Sequence, residues 1–183
     1  AAAYGRFNFQ AQRSLKARPM GPLIEVLKTQ GAIIPQSSWP FSLNANGLKG
    51  GAIEVSGNIS SQYCSGLLMS LPYAKNTSAV LIDPRMKKSY VKMTLGVMRA
   101  FGIETQLDHD TIFVPKGCYQ ACHYAIEPDA STASYALAAA MLTQSEVTLT
   151  GVKTHSLQAD WQFLGCLEQM GGQVTTSEKK EFG

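Results

Sequence analysis

The sequence lacks long apolar runs and has little excess charge of either sign. Its longest apolar candidate, residues 135–142, is short and rich in alanine, whereas a membrane-spanning helix needs about 20 apolar residues. Charged residues make up 16% of the chain and the formal net charge is +3. That charge is too small for a nucleic-acid-binding surface but suits the binding of anionic metabolites. We therefore expect neither a membrane nor a nucleic acid as a partner.

Cysteine is also scarce. The four cysteines, Cys64, Cys118, Cys122 and Cys166, are unevenly spaced and too few for a disulfide-stabilised scaffold, which indicates a reducing compartment. The Cys118, Cys122 and His123 group has no second ligand pair at zinc-finger spacing, so we expect ordinary loop cysteines rather than zinc ligands. The sequence also has neither an initiator methionine nor a basic, apolar leader, and we expect it to begin within a longer protein.

A repeat of about 70 residues is the clearest pattern in the sequence. Gly31, Gly102 and Gly171 each follow an amphipathic stretch, and they lie 71 and 69 residues apart. Each glycine precedes a short run with β character, at residues 32–34, 103–105 and 173–175. Glycine at this place predicts a left-handed helix cap.

The predicted elements repeat at the same spacing. Helices are predicted at 21–30, 61–71, 90–100, 130–142 and 157–170, and strands at 52–56, 79–82, 111–114 and 147–150. Helix faces built on Leu67 and Leu68, and on Val91 and Leu95, are predicted to be buried. The order of elements predicts an α/β fold of repeated β-α-β-α-β units.

Residues 57–62 suggest an anion site between a strand and a helix. Ser60, Ser61 and Gln62 offer two hydroxyls and an amide at a helix start, where backbone N–H groups and the helix dipole favour negative charge. The alternative is that Ser60 is a simple N-cap. The spacing leaves both interpretations open.

Basic residues form two further candidates. Arg18 precedes Pro19, and its guanidinium matches a carboxylate or phosphate, although a solvated surface residue is the alternative. Lys87, Lys88 and Lys92 cluster at the start of a predicted helix, where cations oppose the helix dipole. A bound anion would compensate for this arrangement, but an exposed polar face also explains it.

The acidic and histidine residues are assigned structural roles. Asp129 fits the N-cap of the helix at 130–142, and Asp160 is interpreted similarly for the last helix. Glu127 and Asp129 are a candidate acid/base pair only if burial shifts their pKa values. His109, His123 and His155 are expected in loops or on the surface.

Taken in order, the sequence resembles the 5-enolpyruvylshikimate-3-phosphate synthase family across nearly its whole length. The matching stretches are Arg18-Pro19-Met20, 23–27, Gly50-Gly51, 55–62, Leu67-Leu68-Met69, Pro72-Tyr73-Ala74, Tyr90-Val91-Lys92-Met93-Thr94, Met98, Phe101-Gly102, Glu127-Pro128-Asp129-Ala130-Ser131, Ala133-Ser134-Tyr135, Ser156-Leu157-Gln158-Ala159-Asp160 and 167–171. The resemblance implies β-α-β-α-β-β units arranged as two domains. On this basis residues 1–49 are a partial unit, 50–122 a complete unit carrying the phosphate cradle, and 123–183 an incomplete unit of the second domain.

The resemblance also implies a function. Family members transfer the carboxyvinyl group of phosphoenolpyruvate to the 5-hydroxyl of shikimate 3-phosphate, on the route to aromatic amino acids, without metal or organic cofactor. It implies that Ser60, Ser61 and Gln62 bind shikimate 3-phosphate, with Gln62 also near phosphoenolpyruvate. Arg18 is then expected to hold phosphoenolpyruvate, and Tyr90 to line the shikimate pocket. A cytoplasmic location follows, or a plastid if the source is a plant or alga.

Departures from the family pattern keep alternatives open. Lys87 stands where the family usually has a phosphate-binding serine, Ser89 replaces a proline, Lys92 an acidic residue and Ala159 a glycine. The family's N-terminal lysine, its Asn-Ala-Gly-Thr motif, its acid/base carboxylate and a later basic cluster are absent, and residues 1–3 are expected to lie partway through a helix. No catalytic residue is therefore expected within this segment, which should be inactive without the rest of the parent chain. The alternatives are a UDP-N-acetylglucosamine enolpyruvyl transferase and a non-catalytic derivative of the fold.

Overall fold

The computed structural model describes residues 2–55, 60–153 and 155–175. The chain divides into two compact units, Ala1–Cys122 and His123–Gly183. In the described residues, no helix is long and apolar enough to cross a membrane.

The first unit alternates strands and helices. Its elements are β1 (Tyr4–Phe9), α1 (Arg13–Lys16), α2 (Gly21–Thr29), β2 (Phe41–Asn46), β3 (Gly51–Val55), α3 (Ser61–Ser70), a 3-10 turn (Leu71–Tyr73), β4 (Ser78–Ile82), α4 (Lys88–Ala100), β5 (Gln106–Asp108) and β6 (Thr111–Val114). From β3 onward the order is β-α-β-α-β-β. This order of elements confirms the mixed α/β architecture that the sequence predicts.

A four-stranded sheet organises this unit, with strand order β3-β4-β6-β5. β3 and β4 are parallel, while β6 is antiparallel to both β4 and β5. Parallel neighbours require a crossover connection, and α3 provides it. The sheet thus brings the carboxyl ends of β3 and β4 to the same edge.

Alternating side chains bury one face of the sheet against α3 and α4. Val80 and Ile82 of β4 are fully buried, whereas Leu81 between them is 47% exposed, as the two-residue period of a strand requires. The predicted helix faces are confirmed. Their fully or almost fully buried members are Cys64, Leu67, Leu68, Leu71, Val91, Leu95 and Met98.

A two-stranded ribbon forms the beginning of the chain. β1 pairs antiparallel with β2, and β2 packs against α2 through a cluster that includes Ile24, Phe41 and Leu43. The expectation that residues 1–3 lie within a helix is wrong at Ala2 and Ala3, which have no helical structure. The pairing of Tyr4–Phe9 with β2 holds the following chain extended instead.

The glycine caps are confirmed, but none of the three short β-type runs after them forms a strand at its predicted position, and residues 32–34 carry only an isolated bridge at Ile33. Gly31, Gly102 and Gly171 have φ of 98°, 85° and 95°, which is the left-handed region that glycine reaches without strain. Residues 103–105 are not a strand; the strand lies three residues later, because a turn at residues 109–110 fixes the register of β5 against β6. Residues 173–175 do not form a strand either.

The second unit contains α5 (Ala130–Thr143), a 3-10 helix (Ala159–Gln162) and α6 (Phe163–Gln169). The predicted strand at 147–150 is wrong: no described residue pairs with it, and a strand requires a hydrogen-bonded neighbour. The predicted helix at 157–170 is also wrong in its first part. Gln158 is held extended, with ψ of 110°, so the helical structure starts at Ala159.

Cysteine reactivity provides a test of this fold. Cys64 is fully buried, while Cys118, Cys122 and Cys166 are exposed. Burial raises the pKa of the Cys64 thiol from 9.0 to about 11, and the thiolate is the reactive form. We expect a chromogenic disulfide reagent at mildly alkaline pH to titrate three thiols rapidly, and the fourth only after denaturant is added. Rapid reaction of all four thiols in the folded chain would contradict the burial of α3.

Candidate anion-binding site

The candidate site lies where the two parallel strands end. Val55 at the end of β3 is in register with Ile82 at the end of β4. The chain beyond β4 stays close to β3, since the Asp83 amide donates to the Val55 carbonyl oxygen at 3.2 Å. In parallel α/β sheets, ligands bind outside this edge, where the following helices begin.

A hydrogen bond aligns the two helices that begin there. The Thr94 Oγ1 atom on α4 is 2.8 Å from the Ser65 Oγ atom on α3, and 2.9 Å from the Tyr90 carbonyl oxygen. Ser61 and Tyr90 each lie one helical turn before the bonded residue. The amino ends of α3 and α4 are therefore neighbours, with Ser61 on one and Tyr90 on the other.

The three predicted phosphate-binding side chains are at the amino end of α3. Ser60 is its N-cap, and its Oγ accepts a hydrogen bond from the Gln62 amide at 3.3 Å. Ser60 and Gln62 are exposed and Ser61 is half-buried, so solvent reaches all three. The N-cap interpretation of Ser60 is confirmed, and residues 57–59 of the predicted cradle lie outside the described part of the chain.

Lys87 and Lys88 lie at the amino end of α4. Lys88 pairs with the Asp110 carboxylate and donates to the His109 carbonyl oxygen at 3.1 Å. Lys87, the exposed N-cap residue, has no ion-pair partner among the described residues. Neither α3 nor α4 has an acidic residue in its first turn. Positive potential from both helix ends therefore adds to that of the Lys87 ammonium group.

The turn before Lys87 is held by an internal ion pair. The Arg85 Nη2 atom lies 2.8 Å from Asp83 Oδ2, and the Arg85 amide and Nε both donate to Asp83 Oδ1. These bonds engage the Arg85 guanidinium within its own turn. Lys87 and Tyr90, which is 48% exposed, are the predicted residues of this segment that face solvent.

Arg18 lies in the segment between α1 and α2, and this segment contacts α3. It is exposed and follows the four-residue helix α1. The hydroxyl of Tyr63, in the first turn of α3, lies 2.9 Å from the carbonyl oxygen of Pro19. This contact holds the residue after Arg18 against the helix that begins with Ser61 and Gln62.

Asp129 forms the N-cap of α5 in the second unit. Asp129 accepts hydrogen bonds from the Ser131 amide at 3.2 Å and the Thr132 amide at 3.1 Å. Hydrogen bonding, led by the Thr132 hydroxyl, lowers the pKa of the Asp129 carboxyl. The contribution of this cap to stability is thus present above the ordinary aspartate pKa and lost as pH falls. The predicted N-cap role of Asp129 is confirmed.

Gln158 and Asp160 complete that cap. The Gln158 side chain accepts from the Ala130 amide at 2.8 Å and donates to the Pro128 carbonyl oxygen at 2.8 Å. The Ser131 hydroxyl donates to Asp160. Ala159 between them has no positive φ, so the side chain that replaces the family's glycine causes no backbone strain.

His109, His123 and His155 are exposed, as expected. Among residues 2–55, 60–153 and 155–175, no group of three or more His, Cys, Asp or Glu side chains is arranged to hold a metal ion.

Sequence reasoning missed the residues that connect the site. The sequence patterns assign no site role to Tyr63 or Ser65, and they place Thr94 only within a stretch that matches the family. Spacing offered a signal for two of them, since Ser65 and Thr94 each lie four residues after a predicted site residue, on the same helix face. Nothing local pointed to the Tyr63 contact.

The fold and site define an α/β protein with an anion-accessible edge where two parallel strands meet two helix amino ends. The family model for EPSP synthase (3-phosphoshikimate 1-carboxyvinyltransferase) matches residues 1–183. The chain belongs to this family.

Several relatives support the assignment. The chain is 37% identical over 179 residues to the 3-phosphoshikimate 1-carboxyvinyltransferase of Marinomonas sp., covering 93% of this chain and 42% of the relative. It is 40% identical over 167 residues to that of Photorhabdus laumondii, covering 87% and 39%. A pentafunctional AROM polypeptide of Candida tropicalis is 39% identical over 172 residues, covering 87% of this chain and 11% of that protein.

A solved structure supports the fold. The EPSP synthase of Acinetobacter baumannii aligns with a TM-score of 0.72 and 23% identity, over 93% of this chain and 38% of that one. The chain thus spans about two fifths of the single-enzyme relatives that it matches.

Proposed function

We propose that this chain supplies the shikimate 3-phosphate side of an enolpyruvyl transferase active site. The observation that carries the proposal is the family match across the whole chain, together with predicted substrate residues at adjacent helix ends. Because the chain is shorter than its relatives, turnover belongs to a longer protein. The remainder of the parent chain is needed to complete the site.

Shikimate 3-phosphate is the proposed ligand of the paired helix ends. The hydroxyls of Ser60 and Ser61 and the side-chain amide of Gln62 donate to the phosphate, while Lys87 adds a point charge. Tyr90, exposed on the neighbouring helix, packs against the ring that carries the phosphate. The absence of acidic residues from both first turns supports an anionic ligand.

Phosphoenolpyruvate is the proposed partner of Arg18. Its guanidinium can form two parallel hydrogen bonds to a carboxylate or a phosphate, and this ligand carries both groups. In the reaction, the 5-hydroxyl oxygen bonds to C2 of phosphoenolpyruvate as its proton passes to a base and the methylene carbon gains a proton. Loss of that proton and of inorganic phosphate restores the double bond. The acid and base belong to the remainder of the protein.

The chain is proposed to contain parts of three repeat units. Residues 1–49 are a partial unit, 50–122 a complete one, and 123–183 an incomplete unit of a second domain. The β-α-β-α-β-β order from β3 to β6 supports the middle assignment. A cytoplasmic location, or a plastid in a plant or alga, is part of the same proposal.

Ser61→Ala tests the phosphate assignment. We expect the variant to bind shikimate 3-phosphate about tenfold more weakly, because a hydrogen bond to a charged group is lost. Calorimetric titration of the chain measures this affinity. Ser70→Ala is the matched control, since Ser70 ends the same helix and its hydroxyl donates to the Gly66 carbonyl oxygen at 2.9 Å.

Three outcomes would count against the proposal. Absence of shikimate 3-phosphate binding to the unmodified chain would favour the non-catalytic alternative. Equal affinities of Ser61→Ala and the unmodified chain for shikimate 3-phosphate would mean that Ser61 does not bind the phosphate. Tighter binding of UDP-N-acetylglucosamine would favour the related cell-wall enzyme.

A further inference from the structure

We infer that Tyr63 is a positioning residue that sets Arg18 relative to the phosphate-binding end of α3. This inference rests on the proposed function. It concerns the connection between Arg18, proposed to bind phosphoenolpyruvate, and the start of α3, proposed to bind shikimate 3-phosphate. Tyr63 belongs to the helix that begins with Ser61 and Gln62, and its hydroxyl reaches the backbone beside Arg18. One side chain thus connects both binding elements.

The hydroxyl of Tyr63 has a defined acceptor. It lies 2.9 Å from the Pro19 carbonyl oxygen and 3.3 Å from Met20 Sδ. A hydroxyl has one proton to donate, and the carbonyl oxygen is both nearer and the stronger acceptor. The bond therefore fixes the Pro19 carbonyl group, whose carbon is three covalent bonds beyond the Arg18 carbonyl carbon.

The aromatic ring of Tyr63 gives this bond a rigid base. It packs against the main core and lines a shallow apolar crevice with Leu23, Leu67 and Cys64. Tyrosine has only two side-chain torsions to fix. A ring held on one side by core residues therefore delivers its hydroxyl to one place.

Arg18 has few other restraints. It follows a helix of only four residues, and it is exposed. Its amide donates to the Leu15 carbonyl oxygen at 3.2 Å, which is a local bond within the same turn. Among the described residues, the Tyr63 hydroxyl supplies the side-chain hydrogen bond that connects the Arg18 segment to α3. A mobile guanidinium would pay conformational entropy on binding, whereas a positioned one avoids part of that cost.

Tyr63→Phe removes the hydroxyl and keeps the ring. We expect affinity for phosphoenolpyruvate to fall about fivefold, while affinity for shikimate 3-phosphate stays within twofold. Loss of folding would weaken the binding of both substrates, so this difference distinguishes a positioning role from a folding defect. Calorimetry of the chain measures both. In an Arg18→Ala background, Tyr63→Phe should cause no further loss for phosphoenolpyruvate, because the two changes act through one group.

NMR of the ligand-free chain tests the same inference without any substrate. The heteronuclear ¹⁵N relaxation of the Arg18 amide and side-chain Nε should show greater motion in Tyr63→Phe, with unchanged values at Gln62. Tyr90→Phe is the control, as it removes an exposed tyrosine hydroxyl on α4. Unchanged motion at Arg18 would overturn the positioning role.

The outcomes separate the two proposals. Failure of the unmodified chain to bind either substrate would overturn the proposed function, while the relaxation result would still decide whether Tyr63 orders Arg18. Equal weakening of both substrates by Tyr63→Phe, or additive losses with Arg18→Ala, would overturn the inference and leave the phosphate site standing.

Discussion

Gly50→Ala is expected to destabilise the first unit by about 4 kcal/mol, near the upper end for single substitutions. A Cβ atom at this position would lie 2.2 Å from the Asn76 carbonyl oxygen and 2.9 Å from its carbonyl carbon. The neighbour is backbone and cannot rotate away. Asn76 is also held by hydrogen bonds from its amide and side chain to the Lys49 carbonyl oxygen.

Gly51→Ala is the matched control for this prediction. Gly50 and Gly51 both have positive φ, of 76° and 84°. Alanine at either site therefore introduces a backbone strain of about 1–2 kcal/mol. A Cβ at Gly51 meets nothing within 4 Å. The difference between the variants therefore isolates the steric clash.

Urea unfolding followed by far-UV circular dichroism measures both variants. We expect a lower midpoint for Gly51→Ala and a much lower one, or no folded baseline, for Gly50→Ala. Because Gly50 directly precedes β3, and β3 ends beside the candidate site, Gly50→Ala should also abolish shikimate 3-phosphate binding. Equal midpoints for the two variants would mean that Asn76 moves aside at little cost.

Local signals made much of this fold predictable. The helix caps at Gly31, Gly102 and Gly171 were predictable because glycine itself reaches the left-handed conformation without strain. Asp129 precedes its helix at the one place where a carboxylate can accept from free amides. The buried faces of α3 and α4 follow from apolar spacing alone. In each case, the determining interaction lies within one helical turn.

Contacts between distant residues could not be predicted in the same way. Tyr63 and Pro19 are 44 positions apart, and Ser65 and Thr94 are 29 apart. Nothing in either local sequence specifies its partner. Residues 147–150 show the opposite error, because β-forming side chains do not make a strand without a neighbour to pair with. The places of Ser60, Ser61 and Tyr90 at helix starts could therefore be predicted from the local sequence, but the contacts that connect their helices could not.

Among substitutions that leave the fold intact, Lys87→Glu has the largest expected effect on binding. We expect shikimate 3-phosphate affinity to fall about a hundredfold, since a carboxylate would face the ligand phosphate at the amino end of α4. Lys87 is exposed and has no ion-pair partner among the described residues, so its replacement breaks no such contact. The helix dipole also stabilises a carboxylate near the amino end of a helix. Stability should therefore be unchanged or slightly higher while binding is lost.

Lys92→Glu is the control for this charge reversal. It makes the same change in net charge on the same helix, at an exposed position further from the amino end. Its effect should be small and should disappear at high ionic strength, whereas close charge contacts are screened less. Calorimetric titrations at low and high salt measure both variants. If Lys87→Glu and Lys92→Glu weaken binding equally, the lysines act only through the general field of the protein, and Lys87 does not contact the phosphate.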